Sequence, residues 1–295
     1  MKNIIVLILI ATSLALGQYH IYEESPFGLH PALVAAPGYP ESGYSDAENI
    51  GIRWTRGSLY AFWFIIQPEL SDTALDFAIY DSIFSAVPDS ICILGNIAPQ
   101  GGRDEGRCLD SSWLPVDSAL YVRFVLRTIE RYDGDGMDDM PGLSNPIKYW
   151  QVGNEPDANP RQHFARLQQM TYEAVKEADS SSQVLIGGAT GFPFDYIFGY
   201  DNRFVGYLEE LAGGGFDILD FHWYGEANGE YNLRDTYTGE DVLAHIRASL
   251  VDNGYPPDIP IWITEMGTYS GDPVPMGFSY DPPFQSERQQ AGDMF

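Results

Sequence analysis

Short apolar segments alternate along the chain with longer segments in which apolar and polar positions recur with a helical period. Seven short runs rich in Ile, Val, Leu and aromatic residues predict strands at residues 26–30, 51–56, 90–96, 148–154, 183–188, 216–222 and 259–265. Most of these runs are apolar at nearly every position, a pattern typical of parallel strands that are covered on both faces. We therefore expect a parallel sheet enclosed by helices.

Between the runs, apolar residues recur every three or four positions, which predicts amphipathic helices. Such faces lie within residues 75–86, 122–129, 164–178 and 204–211. In the first of them, Leu75, Ile79 and Ile83 are expected to face the sheet. The regular alternation of strand and helix predicts an α/β fold.

Two parallel α/β architectures fit this alternation, the doubly wound open sheet and the (β/α)₈ TIM barrel. An open sheet usually carries a glycine-rich phosphate loop after its first strand, and the sequence GLHP at 28–31 has no such loop. Seven strands are one fewer than a closed barrel needs, and residues 285–295 resemble the start of a seventh helix. We predict a (β/α)₈ TIM barrel over residues 18–295, truncated at its C-terminus before strand 8.

The N-terminus has the features of a secretory signal peptide. Lys2 precedes an apolar run at 4–16, which is shorter than the roughly 20 residues that span a bilayer. Small residues at Ala15 and Gly17 predict cleavage before Gln18, so that residues 1–17 are removed. This predicts a protein that is secreted to the extracellular space or the periplasm and has no membrane association after cleavage. An uncleaved anchor is the alternative.

Composition limits the range of partners. The chain has 295 residues, of which 44% are hydrophobic, enough for one large core, and its formal net charge is −26. Such a charge repels nucleic acid and anionic membranes, whereas a neutral carbohydrate substrate is not repelled. Aromatic residues make up 14% of the chain; they can stack on sugar rings, although they more often pack in cores.

Two of the predicted strands end in a glutamate. The fourth strand runs into VGNEP, which contains Glu155, and the seventh ends in IWITEM, which contains Glu265. Because the carboxyl ends of barrel strands meet at one face, where active sites lie, these carboxylates are expected to face each other. Two carboxyl groups about 5–5.5 Å apart suit glycoside hydrolysis with retention of configuration. We predict that Glu155 and Glu265 are the catalytic pair.

With these motifs the chain resembles the clan-A retaining glycoside hydrolases, a superfamily that includes cellulases, mannanases and β-xylosidases. In that superfamily an Asn-Glu pair at the end of strand four carries the acid/base, and a glutamate at the end of strand seven is the nucleophile. Asn154 and Glu155 match the first motif and Glu265 matches the second. The resemblance implies hydrolysis of β-glycosidic bonds in a polysaccharide or oligosaccharide by a two-glutamate double displacement.

The resemblance also implies roles for other residues at strand ends. Arg56 would lie beside the nucleophile and favour its ionised form, and Asn154 would bind the sugar 2-hydroxyl. His222 and Tyr224 would bind sugar or orient the nucleophile. For Arg56 a purely structural ion pair is the alternative, and for His222 an ordinary buried histidine.

Three further residues are predicted to bind substrate. His30 and Asn96 end the first and third predicted strands, where they would contact sugar subsites, and Trp63 follows the second strand as an aromatic platform. A catalytically inactive carbohydrate-binding or scaffold barrel is the alternative function. The presence of both glutamates favours the enzyme.

An acidic turn raises the question of a metal. Asp133, Asp135 and Asp139 lie in the segment DGDGMDD, whose alternating carboxylates resemble a calcium loop. The segment lacks the bidentate glutamate of an EF-hand, so a structural calcium and a solvated acidic turn both remain open. We expect no other cofactor, since the chain contains no His-Glu-x-x-His pair, G-x-S-x-G elbow or Walker loop.

Overall fold

The computed structural model describes residues 25–29, 43–49, 51–56, 60–99, 114–156, 159–190, 196–223, 233–235 and 238–266. The predicted signal peptide at 1–17, the residues His30 and Tyr224, and the predicted helix at 285–295 lie outside this part of the chain. Within it, every helix is too short or too polar to cross a membrane.

The described residues contain eight strands. They are β1 (Gly28–Leu29), β2 (Trp54–Arg56), β3 (Ala61–Phe62), β4 (Cys92–Ala98), β5 (Tyr149–Val152), β6 (Gln183–Leu185), β7 (Leu219–Trp223) and β8 (Ile261–Met266). Each of the seven predicted strands overlaps one of these, and β3 is a two-residue addition that pairs with β4. The fourth and seventh predicted strands are therefore β5 and β8.

All strand pairs are parallel and follow the order of the chain. The main sheet has the order β1-β2-β4-β5-β6, and β7 pairs with β8. Two isolated parallel bridges connect the β6 side of the main sheet to β7. Leu185 bridges Ile218, and Ala189 bridges Phe221. The carboxyl ends of all these strands therefore point the same way, which brings the residues that follow them to one face.

Helices lie between the strands. They are α1 (Tyr44–Asn49), α2 (Trp63–Ile66), α3 (Ala78–Phe84), α4 (Ser118–Tyr132), α5 (Arg161–Ala178), α6 (Tyr196–Arg203), α7 (Val205–Leu211) and α8 (Val242–Asp252). Aspartate side chains begin two of them: Asp117 accepts from the N–H groups of Ala119 and Leu120, and Asp241 accepts from that of Ala244. These caps satisfy amide groups that a first helical turn leaves without partners.

The buried face of α3 differs from the predicted one. Ile79, expected to face the sheet, is 52% exposed, whereas Tyr80 and Phe84 are buried. The ring of Phe84 lies 4.8 Å from that of Tyr132 on α4. Two large aromatic rings bury more apolar surface than the aliphatic residues beside them. The face of α3 that is buried is therefore shifted by one residue from the predicted face.

Aromatic residues on the inner face of the sheet show that it curls back on itself. Trp54 on β2 contacts Tyr149 on β5 at 4.9 Å and Trp262 on β8 at 5.0 Å between ring centroids. Since β2 and β8 lie near opposite ends of the strand order, only a strongly curved sheet permits this contact. The prediction of a parallel α/β fold is confirmed. Closure into a (β/α)₈ barrel and truncation before strand 8 stay predictions.

Candidate active site

Two carboxylates and an imidazole meet at the carboxyl ends of the strands. The His222 Nδ1 atom on β7 lies 2.8 Å from Glu155 Oε1 and 3.6 Å from Glu265 Oε2. One oxygen of each carboxylate and this nitrogen all lie within 4.8 Å of one another. Two carboxylates this close can act on a single bond of one bound molecule.

A strained turn presents Glu155. Gly153 and Glu155, which follow β5, have φ angles of 67° and 47°. Glycine adopts the left-handed region freely, but for a glutamate this conformation is uncommon and costs about 1–3 kcal/mol. The turn lifts the side chain of Glu155 out of the strand and leaves it 42% exposed. Backbone strain of this kind clusters at functional sites.

Glu265 lies in a more enclosed and positively charged position. Its side chain is 12% exposed, and its Oε1 atom pairs with the Nη1 of the buried Arg56. The other guanidinium nitrogens of Arg56 donate to Asn154 Oδ1 at 2.5 Å and to Gln151 Oε1 at 2.8 Å. With its nitrogens held on three sides, Arg56 places a fixed positive charge beside the carboxyl group of Glu265.

His222 is buried between the two carboxylates and a supporting layer. Its Nε2 atom lies 3.3 Å from Thr264 Oγ1 and 3.9 Å from Asp220 Oδ2. The ring packs on Gly188, where an added Cβ would lie 2.1 Å from Nε2. A glycine is therefore needed at position 188 to leave room for the imidazole.

Beneath the site lies a buried polar layer that the sequence reasoning missed. Gln151 and Asp220 are fully buried, and the Nε2 of Gln151 donates to Asp220. Burial raises the pKa of Asp220 to about 6, although the nearby charges of His222 and Arg56 act in the opposite direction. A signal was present: these polar residues occupy alternate positions in otherwise apolar strands, as Asp220 and His222 do in LDFHW.

Two of the residues predicted to bind substrate, Trp63 and Asn96, are buried in the structure. Trp63 is fully buried, donates from Nε1 to Gln67 Oε1 at 2.8 Å and stacks on Phe124. It begins α2, which packs on α4, so its ring belongs to the helical layer and cannot serve as a sugar platform. Asn96 is also buried, and its Nδ2 donates to Gln151 Oε1 at 2.9 Å and to the carbonyl of Gly153 at 2.7 Å. It supports the floor of the site.

The structure brings the three aspartates of the acidic turn together. Carboxylate oxygens of Asp133, Asp135 and Asp139 lie within 4.8 Å of one another. Asp139 also accepts hydrogen bonds from the N–H groups of Gly134 at 3.0 Å and Gly136 at 2.8 Å, so backbone amides of the turn already neutralise part of its charge. Burial raises the pKa of Asp133 to about 6. The oxygen ligands suit calcium, and a structural calcium and a solvated acidic turn both remain as interpretations of this segment.

Comparison with known proteins gives likenesses among solved structures. No protein-family model and no curated protein sequence matches the chain. A glucosidase from Croceicoccus marinus superposes with a TM-score of 0.60 at 18% identity, over 85% of this chain and 54% of that one. A monomeric β-xylosidase from Caulobacter crescentus gives a TM-score of 0.55 at 15% identity, over 82% and 52%. An endo-1,4-β-mannanase from Rhizomucor miehei gives 0.52 at 16% identity, over 82% and 77%.

All three sequence identities are below 20%, so these comparisons show a similar fold only. This chain spans about half the length of the first two structures. The chain therefore has a fold like that of these glycoside hydrolases.

Proposed function

We propose that the full-length protein is a retaining β-glycosidase that hydrolyses bonds of a neutral oligosaccharide or polysaccharide. The observation that carries this proposal is the proximity of Glu155 and Glu265, whose nearest described oxygens lie within 4.8 Å of each other. A sugar ring placed between them would meet one carboxylate at its anomeric carbon and the other at its glycosidic oxygen. Secretion by the predicted signal peptide belongs to the same proposal.

The surroundings of each carboxylate indicate its role. Glu265 is enclosed and paired with the positive charge of Arg56, which suits the carboxylate nucleophile of the first displacement. Glu155 is the more exposed of the two, which suits a group that gives a proton to a leaving oxygen and later takes one from water. Asn154 accepts from Arg56 through Oδ1, which leaves its amide N–H groups to donate to a sugar hydroxyl.

The cycle has two displacement steps. In the first, a Glu265 oxygen forms a bond to the anomeric carbon, the glycosidic C–O bond breaks, and the proton of Glu155 moves to the departing oxygen. In the second, Glu155 takes a proton from water, the water oxygen bonds to the anomeric carbon, and the ester to Glu265 breaks. Two inversions at one carbon give a product with the configuration of the substrate.

Product stereochemistry tests the proposal. The full-length protein would be incubated with p-nitrophenyl β-glucoside, β-xyloside and β-mannoside, and the first sugar released would be followed by proton NMR before mutarotation. We expect the β-anomer to appear first from any substrate that is cleaved. An α-anomer formed first would indicate single displacement by an inverting enzyme and would contradict the proposal. Binding of the glycosides without turnover would instead favour an inactive carbohydrate-binding barrel.

A further inference from the structure

A register shift interrupts the ladder between β7 and β8 just below Glu265. Phe221 pairs with Ile263, but the next residue, His222, pairs with Glu265, so Thr264 is an extra residue in β8. Side chains alternate between faces along a regular strand, whereas a bulge places two residues opposite one. Accordingly, Thr264 and Glu265 both contact residues on the inner face: Thr264 contacts Asp220, and Glu265 contacts Arg56.

Asp220 supplies the hydrogen-bond acceptors that hold this bulge. Its Oδ1 accepts from the Thr264 N–H at 3.2 Å, and its Oδ2 accepts from Thr264 Oγ1 at 2.8 Å. An extra residue in a bulge lacks its normal ladder partner, and the carboxylate takes that place. Asp220 is fully buried, a costly position for an acid that takes no part in the proposed cycle.

A second connection runs from Asp220 to the carboxylate of Glu265. Gln151 donates to Asp220 through Nε2 and accepts from Arg56 Nε at 2.8 Å through Oε1. Arg56 in turn pairs with Glu265. Asp220 therefore acts on Glu265 from two sides, on its backbone through Thr264 and on its side chain through Gln151 and Arg56.

We propose that Asp220 is a positioning residue whose carboxylate fixes the Thr264 bulge and thereby turns Glu265 toward the substrate. The inference rests on the proposed function, in which Glu265 is the nucleophile. The bulge lets two consecutive residues of β8 face the site, so that Thr264 binds the supporting layer and Glu265 lies beside Arg56 and His222.

Substitutions that remove single donors or acceptors test this role. Asp220→Asn keeps the size of the side chain but sets an N–H group against Gln151 or Thr264, both of which are donors. We expect kcat to fall about 10- to 100-fold with KM changed less than about 3-fold, because displacing a reacting group by about 1 Å costs up to about 100-fold in rate. Thr264→Val should lower kcat about 10-fold, whereas Thr264→Ser keeps the hydroxyl donor and should restore most of the activity.

A matched control separates positioning from the loss of any buried hydroxyl. Thr128 is fully buried on α4, and its Oγ1 donates to the carbonyl of Phe124 at 2.8 Å, away from the site. Thr128→Val should leave kcat unchanged. The double variant Asp220→Asn/Thr264→Val should lose less than the product of the two single losses, because both substitutions break one contact.

Thermal stability reports on the charge that Asp220 carries in the folded protein. Burial raises the pKa of Asp220 from 3.8 to about 6, so the folded protein binds its proton more tightly than the unfolded chain does. The charged form therefore destabilises the wild type above pH 6, and this cost disappears as the pH falls toward 4. His222, Arg56 and Tyr60 are titratable or charged groups that interact with the charge of Asp220. We expect the Tm of Asp220→Asn relative to wild type to be higher at pH 7 than at pH 5.

The rate at which Glu265 attacks a substrate analogue tests the positioning role of Asp220 separately from the proposed function of Glu265. A 2,4-dinitrophenyl 2-deoxy-2-fluoro-β-glycoside of the cleaved sugar would be added to each full-length variant, and labelling of Glu265 followed by mass spectrometry. Labelling of Asp220→Asn should slow in parallel with kcat. If Asp220→Asn is labelled at the wild-type rate and has the wild-type kcat, while Glu265→Ala is inactive, the positioning role alone is overturned. An active Glu265→Ala variant would instead overturn the proposed function. Should Asp220→Asn fail to fold, equal rates for Thr264→Val and Thr264→Ser would overturn the positioning role.

Discussion

Replacing Glu265 by alanine in the full-length protein is expected to lower kcat on aryl β-glycosides by about 10⁴-fold or more. The substitution removes the group that bonds to the anomeric carbon, and removing a covalent nucleophile typically costs losses of this order or larger. The cavity left beside Arg56 should admit a small anion. Azide or formate should therefore restore part of the activity, and azide should yield an α-glycosyl azide because only one inversion takes place.

An exposed glutamate provides the control for this loss. Glu209 is 59% exposed and lies 3.5 Å from Arg161 in a surface ion pair. Such pairs contribute little to stability, so Glu209→Ala should retain wild-type kcat and KM. Hydrolysis by Glu265→Ala at the wild-type rate, without added anion, would exclude Glu265 as the nucleophile.

The second large effect is expected for Glu155→Gln, and it should depend on the leaving group. General acid–base catalysis contributes about 10²–10⁴-fold, so hydrolysis of an unactivated disaccharide should fall by about that factor. A 2,4-dinitrophenyl leaving group departs without a proton, so the first displacement should stay fast on that substrate. The second displacement still lacks its base, and the covalent intermediate on Glu265 should accumulate after a burst of dinitrophenol.

Azide distinguishes this role from a purely structural one. It needs no deprotonation, so it should speed up turnover of the dinitrophenyl glycoside by Glu155→Gln and give a β-glycosyl azide after two inversions. Stopped-flow absorbance would record the burst, and NMR would identify the azide product. An equal loss on both substrates, with no response to azide, would contradict the acid/base assignment.

Sequence reasoning succeeded where local pattern and topology act together. A near-continuous apolar run that stops at a glutamate indicates a buried strand with a functional residue at its carboxyl end. Parallel strands bring their carboxyl ends to one face. The apolar pattern and the strand topology predicted Glu155 and Glu265, and the resemblance to clan A predicted Arg56; the structure places all three at one site. The approximate positions of all seven predicted strands followed from the same apolar pattern.

The remaining features depend on tertiary contacts that no local pattern reveals. The left-handed backbone of Glu155 and the bulge at Thr264 each involve one residue. An irregularity of one residue does not change the apolar pattern of a strand, so the sequence gives no signal for either. The ring of Trp63 was assigned to the site because it follows β2, but the intervening β3 and the packing of α2 on α4 carry it into the helical layer. Asp220 was passed over because a single acid within an apolar strand has no partner visible in the sequence.

Covalent trapping tests the central claim most directly. The full-length protein would be incubated with the 2,4-dinitrophenyl 2-deoxy-2-fluoro-β-glycoside of a sugar that it cleaves, digested with pepsin and mapped by tandem mass spectrometry. We predict one fluoroglycosyl group per protein molecule, attached to the peptide that contains IWITEM and located on Glu265. A label on Glu155 or another carboxylate, or an active enzyme that acquires no label while the reagent inhibits it reversibly, would contradict the account.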